Sequence, residues 1–262
     1  MKNIKPIFTE EDHKYESELG LYLSVTTLIQ EYEPEKDFRE IAKNYIIKRA
    51  YSQLISQLAT KYKLCESQVI AILDTLGPLE GVLHIWDLKN KKSCEEGTAY
   101  HKSKESEDLY KGAKNIDSKE FDLFSLPDGK YCEMLIWNNE LMISGQADVI
   151  TIETIGSIRY IDIFDYKTNE EIKDYNYKNK NTGKKVINEY LLNPLGHLCN
   201  CNFNIYQLQL NIYGWLLERF GFRLRSMNII HVRDNDKLYP VANLQNLVTE
   251  IMKLRHNKLR KV

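Results

Sequence analysis

Residues 143–169 read ISGQADVITIETIGSIRYIDIFDYKTN, and this segment is the most informative about the structure of the chain. Apolar and β-branched residues recur along both of its halves, which is typical of β-strands. Between the halves stand Gly156 and Ser157, and a pair that begins with glycine suits a two-residue type II′ turn. The pattern therefore predicts a β-hairpin whose strands cover residues 141–153 and 158–167.

Pairing outward from that turn determines which side chains of the hairpin face one another. One side of the hairpin carries two facing pairs of isoleucine: Ile152 with Ile161, and Ile150 with Ile163. Further along the same face, Asp148 lies opposite Asp165, and Gln146 lies opposite Lys167. Asp165 and Lys167 share this face because side chains alternate along a strand. The sequence thus predicts two carboxylates and one ammonium together at the open end of the hairpin.

Two facing carboxylates on a mostly apolar face repel each other, at a cost of about 0.2–1 kcal/mol in a simple pair and more where water is excluded. A divalent cation between Asp148 and Asp165 removes this cost, and Mg²⁺ in proteins is typically bound by one or two carboxylates together with water and phosphate. Lys167 can then orient water or stabilise charge that develops on a phosphate. Two alternatives stay open. The hairpin could be a surface element with an Asp–Lys ion pair worth at most about 1 kcal/mol, or a slip in register could put the two aspartates on opposite faces.

The order of predicted elements along the chain favours one α/β domain with a helical N-terminal elaboration. Ser24 predicts a helix start, because its hydroxyl is a good N-cap. Helical patterns occur in residues 37–62, 66–76, 203–219 and 243–260, and residues 80–110 predict either one long helix or a broken pair. Further strand patterns occur in residues 131–137 and 224–232. Residues 170–200 are polar and predict a surface loop with a short helix, with lysines at Lys173, Lys178, Lys180, Lys184 and Lys185. We expect a single domain over residues 1–262, with N-terminal strands and helices up to residue 130 and the core over residues 131–262.

The composition excludes several classes of protein. The chain has 262 residues, with 36 Lys and Arg against 37 Asp and Glu, so a strongly basic coat protein for nucleic acid is not expected. Its apolar runs are too short for a membrane-spanning helix. The N-terminal residues MKNIKPIFTEED lack the apolar segment of a secretory signal. Five cysteines without a regular framework predict reduced thiols and a cytoplasmic protein.

Asp148, followed on the next strand by Asp165-Tyr166-Lys167, resembles the D…(D/E)xK core of the PD-(D/E)xK nuclease superfamily. The sequence GTAYH, which ends at His101, is similar to the GxxxH element of the RecB-like branch of that superfamily. The histidine of that element is a metal ligand in the family. A lone helical histidine is more often structural, but its position upstream of the D…DxK core favours the ligand role here.

Two further segments carry the same resemblance. Gln209 and Tyr213, in YQLQLNIYGWLLE, are similar to the QxxxY element of RecB-like exonucleases, and their spacing puts both on one helix face. Glu133, in YCEMLIW, resembles a glutamate that often precedes the strand of the first aspartate. SVTTLIQEYEPEKDF is similar to the start of phage-type members. The order H…D…DxK…QxxxY makes the combination more specific than any one of its elements.

The resemblance implies a restriction-endonuclease-like core with a central mixed β-sheet flanked by helices. It implies a DNA exonuclease that uses Mg²⁺ or Mn²⁺, leaves a 5′-phosphate and acts in recombination, repair or phage DNA processing. The implied metal ligands are His101, Asp148, Asp165 and the carbonyl of Tyr166. The implied catalytic residues are Asp148, Asp165 and Lys167, and the implied substrate-binding residues are Gln209, Tyr213 and Glu133. The implied partners are end-bearing DNA and a single-strand annealing protein, with no membrane, in the cytoplasm of a bacterial or phage-infected cell.

Two features depart from relatives in this group. Gln146 stands where many members carry Arg or Lys, which affects an expected phosphate contact. All five cysteines precede the Gln209 helix, so the four-cysteine iron–sulfur cluster of Cas4-like and AddB-like proteins is not expected. Two alternative functions stay open: an endonuclease of the same superfamily, and an inactive nucleic-acid-binding protein on this fold.

Overall fold

The structure is a computed structural model that describes residues 4–9, 14–115, 123–179 and 181–260. The chain divides into two compact units. We call Met1–Pro34 with His101–Val262 the sheet unit, and Glu35–Tyr100 the helical unit. Neither boundary coincides with the division at residue 130 that the sequence suggested. Lys180, one of the lysines of the predicted loop, lies outside the described residues.

The sheet unit contains one mixed, nine-stranded β-sheet. Its strands, in chain order, are β1 (Ile7–Thr9), β2 (Lys14–Ser17), β3 (Gly20–Ser24), β4 (Lys114–Asn115), β5 (Gly129–Asn138), β6 (Ile143–Ile155), β7 (Ile158–Lys167), β10 (Phe222–His231) and β11 (Lys237–Pro240). A separate small hairpin consists of β8 (Tyr177–Lys178) and β9 (Lys185–Val186). The pairs β3–β6, β4–β5 and β7–β10 are parallel, and the remaining neighbours are antiparallel. The predicted α/β fold with a central mixed sheet is confirmed.

Strand β6 uses its two edges differently. One edge pairs with β5 over residues 143–147 and 149–152. On the other edge, β3 pairs in parallel with residues 143–144, and β7 pairs antiparallel with residues 149–155. Residues 145–148 lie between these two ladders, where β3 and β7 separate. We call this place the fork.

The predicted hairpin and its register are confirmed. β6 and β7 meet at Gly156, whose φ of 63° suits the first position of a tight turn. Four isoleucines pair across the strands, Ile152 with Ile161 and Ile150 with Ile163, and each is at most 3% exposed. The ladder ends at Val149 and Phe164, directly before the fork, so the isoleucines form the apolar floor behind it.

Three helices and the end of a fourth belong to the sheet unit: α1 (Val25–Gln30), α6 (Asn202–Glu218), α7 (Gln245–Leu259), and α5 (Pro78–Tyr110) from His101 onward. Ser24 caps α1 as predicted, since its hydroxyl accepts the N–H of Thr27 at 3.0 Å. α6 packs against β5, β6, β7 and β10, and residues 207–217 are all buried. No helix in the described part of the chain is both long enough and apolar enough to cross a membrane.

The helical unit consists of α2 (Phe38–Ile47), α3 (Tyr51–Tyr62), α4 (Glu66–Leu76) and the first part of α5. It has an apolar core of its own. The expectation of one helix over residues 37–62 was wrong, because Ala50 is extended, with φ −67° and ψ 152°. The sequence pattern did not indicate this break, because α2 and α3 both carry apolar stripes that pack into the same core.

The short helix expected within residues 170–200 is absent from the described part of that segment, which contains the β8–β9 hairpin instead. Its turn is formed by the side chain of Asn179, which accepts the N–H groups of Asn181 and Thr182. Gly183 follows with a φ of 68°. An asparagine that binds the backbone in this way competes with helix formation.

The register of the β6–β7 hairpin predicts unequal effects of truncation. Ile163→Ala should lower the free energy of unfolding by about 2–5 kcal/mol, and Ile163→Val by about 0.5–1.5 kcal/mol, because a buried cavity grows with the atoms removed. Ile155 lies on the same hairpin but is 53% exposed, so Ile155→Ala should change this energy by less than about 1 kcal/mol. Chemical denaturation measures all three, and equal losses for the two alanine variants would contradict the register.

Candidate metal centre

The fork places three acidic residues in a row across three strands. By continuation of the two registers, Asp148 on β6 lies between Glu133 on β5 and Asp165 on β7. The ladders do not include these three positions. Instead, Oδ2 of Asp148 accepts a hydrogen bond of 2.7 Å from the N–H of Tyr166. A carboxylate therefore bridges β6 and β7 where the backbone ladder stops.

Glu133 has a backbone conformation that is unusual inside a strand. Its φ is 49°, in the left-handed region that costs a residue with a Cβ about 1–2 kcal/mol. Its carbonyl oxygen accepts a hydrogen bond of 2.9 Å from Nε2 of Gln146 on β6. Strained residues of this kind persist only where their surroundings hold them, and they cluster at functional sites.

His101 reaches the same place from α5. Its Nδ1 lies 3.3 Å from Oδ2 of Asp148. One ligand atom each from His101, Glu133 and Asp148 lie within 4.8 Å of one another. Two oxygens on opposite sides of a bound Mg²⁺ are about 4.2 Å apart, so these atoms are close to coordination spacing. One imidazole and two carboxylates form a donor set that can hold a divalent metal ion.

The electrostatics of the fork agree with this donor set. Burial raises the pKa of Glu133 to about 8, and the charge of Asp148 adds to the effect. Burial also raises the pKa of Asp165 to about 6, although the Lys167 ammonium opposes the shift. Burial lowers the pKa of His101, but its hydrogen bond and charge attraction to Asp148 raise it by more. The carboxylates are therefore held where their charges are poorly compensated, and a divalent cation would compensate them.

The ammonium of Lys167 is held from three sides. Its Nζ lies 2.6 Å from Oδ2 of Asp165, donates to Oε1 of Gln209 at 3.2 Å, and lies 4.5 Å from the centre of the Tyr206 ring. The contact with Asp165 is an ion pair without hydrogen-bond geometry. Oδ2 of Asp165 is therefore buried without a hydrogen-bond donor among the described residues. Burial lowers the pKa of Lys167, but the carboxylates of Asp165 and Asp148 raise it by more. The ammonium therefore stays protonated at neutral pH.

The support for Lys167 comes from one face of α6. Nε2 of Gln209 donates to the hydroxyl of Tyr213 at 3.1 Å, as the four-residue spacing predicts. Both side chains are buried. Gly145 on β6 makes this packing possible, because a Cβ there would lie 2.7 Å from Cε1 of Tyr213. The helix therefore approaches the fork closely enough for Gln209 to reach Lys167.

Most site residues predicted from the sequence come together at the fork, but two of them have surroundings other than those predicted. Glu133, predicted to bind substrate, lies among the candidate metal ligands. Asp165, predicted as a central ligand, is outside that group of three and pairs with Lys167. Tyr166 contributes its N–H to Asp148, and the role of its carbonyl as a ligand stays a prediction. A contact of Gln209 and Tyr213 with DNA also stays a prediction.

Two residues of the site were missed or misread from the sequence. Tyr206 contacts Lys167, and its hydroxyl donates to Oδ1 of Asn169 at 2.5 Å. Its signal was present, because it precedes Gln209 by three positions and so shares its helix face. Gln146 was noted as a departure from a basic residue. Its contact with the Glu133 carbonyl had no sequence signal, since it depends on an unusual backbone conformation.

No protein-family model and no curated protein matches the chain. Among solved structures, the crystal structure of SSO0001 is similar with a TM-score of 0.30 and 13% sequence identity, covering 86% of this chain and 84% of that chain.

The raised pKa of Glu133 predicts a pH-dependent gain from Glu133→Gln in metal-free protein. Folded Glu133 keeps its proton up to a pKa of about 8, against an ordinary value of 4.5. The folded state therefore binds the extra proton between these values, and the free energy of unfolding of the wild type falls as pH rises. Glutamine does not titrate. In chelator, the thermal midpoint of the Glu133→Gln variant should exceed that of the wild type by at least about 2 °C at pH 8, equivalent to about 1 kcal/mol. The difference should be smaller at pH 5.

The matched control is Glu250→Gln, on an exposed position of α7, whose midpoint should follow that of the wild type at both pH values. A difference between Glu133→Gln and the wild type that is the same at pH 5 and pH 8 would show that Glu133 is not held protonated in the fold.

Proposed function

We propose that the protein is a divalent-metal-dependent deoxyribonuclease that hydrolyses DNA from its ends, on a restriction-endonuclease-like core. The observation that carries the proposal is the convergence of a His–Glu–Asp ligand set with a buried, triply held lysine at one fork in the sheet. The order of the same residues in the sequence supports it independently. We further propose that the enzyme acts in the cytoplasm on DNA in recombination, repair or phage DNA processing, with a single-strand annealing protein as a partner.

His101, Glu133 and Asp148 would hold the cation, Mg²⁺ or Mn²⁺, and Asp165 lies beside them. When bound, a divalent cation supplies Lewis-acid chemistry, polarising a phosphate oxygen and making water a better nucleophile. The imidazole nitrogen is a softer donor than carboxylate oxygen, so Mn²⁺ should be well tolerated. The hydrolysis adds the oxygen of water to phosphorus and breaks the bond to the 3′ oxygen, leaving a 5′-phosphate.

Lys167 suits the role of a fixed positive charge. Its pKa is raised, so it carries a proton at neutral pH and can stabilise negative charge on the phosphate. Asp165, Gln209 and Tyr206 hold the ammonium in place, and a donor that is already positioned needs little rearrangement during the reaction. The observed contact of Gln209 thus supports Lys167, whether or not Gln209 also touches the DNA.

The function is tested by incubating the protein with linear and with covalently closed circular DNA in Mg²⁺, in Mn²⁺ and in chelator. We expect loss of linear DNA only, in either metal, and no loss in chelator. Asp148→Asn, which keeps an acceptor for the Tyr166 N–H, should abolish cleavage and weaken Mn²⁺ binding. The control Asp174→Asn changes an exposed ion pair and should leave both unchanged. Cutting of closed circles would indicate an endonuclease, and binding without cutting in every condition would contradict an enzyme.

The fixed ammonium of Lys167 predicts that its removal will slow DNA cleavage without preventing the binding of metal or DNA. Lys167→Ala should bind Mn²⁺ and DNA but turn over at least about 100-fold more slowly, as expected when one electrostatic contact to the transition state is lost. The control is Lys237→Ala, which removes an exposed lysine of β11. Single-turnover rates and Mn²⁺ titrations measure both effects. A Lys167→Ala rate within a few fold of the wild type would contradict this role.

A further inference from the structure

The strained backbone conformation of Glu133 is not needed to maintain the register between β5 and β6. The two strands pair with the same register on both sides of this position, Cys132 with Val149 and Met134 with Ala147. No residue is inserted or deleted, as it would be in a bulge. A residue with extended backbone angles would therefore maintain the same strand pairing. The left-handed φ of 49° at Glu133 needs another explanation.

The contact that accompanies this conformation is the hydrogen bond from Nε2 of Gln146 to the Glu133 carbonyl oxygen, at 2.9 Å. A carbonyl that has left the ladder needs a partner when it is partly buried. Gln146 supplies one from the facing strand, two residues before Asp148. The side-chain amide donates without bringing a positive charge beside the ligand atoms, where a charge would oppose a bound cation.

We propose that Gln146 is a positioning residue: it holds the Glu133 peptide in its left-handed conformation, and this directs the Glu133 carboxylate to His101 and Asp148. This inference rests on the proposed metal centre. It assigns a role to the residue at which the sequence departs from a basic side chain. Residues that orient ligands without touching the metal typically change metal affinity by about 10- to 100-fold when they are replaced.

The experiment is a double-mutant cycle on Mn²⁺ binding, measured by titration calorimetry without DNA. Gln146→Met removes the donor at nearly constant shape and should weaken binding about tenfold. Glu133→Gln should weaken binding by removing a ligand. If Gln146 acts through Glu133, the double variant should bind no more weakly than Glu133→Gln alone, because coupled residues are not additive. Gln30→Met, at an exposed position of α1, is the control and should bind like the wild type.

The outcomes separate this inference from the proposed function. Equal weakening by Gln146→Met in both backgrounds, or no weakening, would overturn the positioning role while the wild type still bound metal and cleaved DNA. Failure of the wild type to bind Mn²⁺ would overturn both. If Gln146→Met does not fold by circular dichroism, Gln146→Asn takes its place in the cycle, since its amide is one methylene too short to reach the carbonyl.

Discussion

The sharing of one edge of β6 between two strands is the constraint on which the site depends. A strand inside a sheet normally satisfies its backbone groups along both edges. Where β3 and β7 separate, residues 145–147 pair with a neighbouring strand on one edge only, and Asp148 belongs to neither ladder. Side chains bind backbone groups there instead. The carboxylate of Asp148 accepts the Tyr166 N–H, and α6 fills the space above Gly145. The same separation lets side chains from three strands and two helices meet.

The rest of the sheet unit keeps these charged groups in place. The isoleucine ladder lies directly behind the carboxylates, and its burial offsets part of the repulsion between them. α6 is fixed at its far side by two buried polar residues. Gln207 accepts the N–H of Ala242 at 3.1 Å, and Asn211 accepts the N–H of Leu244 at 2.7 Å. A helix held on both sides cannot shift easily, so Gln209 stays against Lys167.

The structural features that were best predicted from the sequence are those that depend on short-range periodicity. The turn at Gly156 fixes the alternation of the hairpin, and the four-residue spacing of Gln209 and Tyr213 fixes a helix face, so both were predictable. The position of Glu133 was not, because a left-handed residue inside a strand has no signature when it is not glycine. Nor could the sequence predict that Asp165 pairs with Lys167 rather than joining the candidate ligands, since both arrangements are open to a side chain on this strand face. The change from one compact unit to the other at residue 100 has no sequence signal, because it lies within the single helix α5.

The order of the strands along the chain has a consequence for how the protein folds. β5, β6 and β7 follow one another and pair as antiparallel neighbours, whereas β10 joins β7 in parallel only after the crossover through α6. Contacts between neighbouring segments form faster than distant ones. We expect Glu133, Asp148 and Asp165 to meet in an early three-stranded meander, before α6 brings Gln209 to Lys167. Their repulsion then acts on the folding rate. On the proposed function, divalent cations should accelerate this step as well as stabilise the finished site.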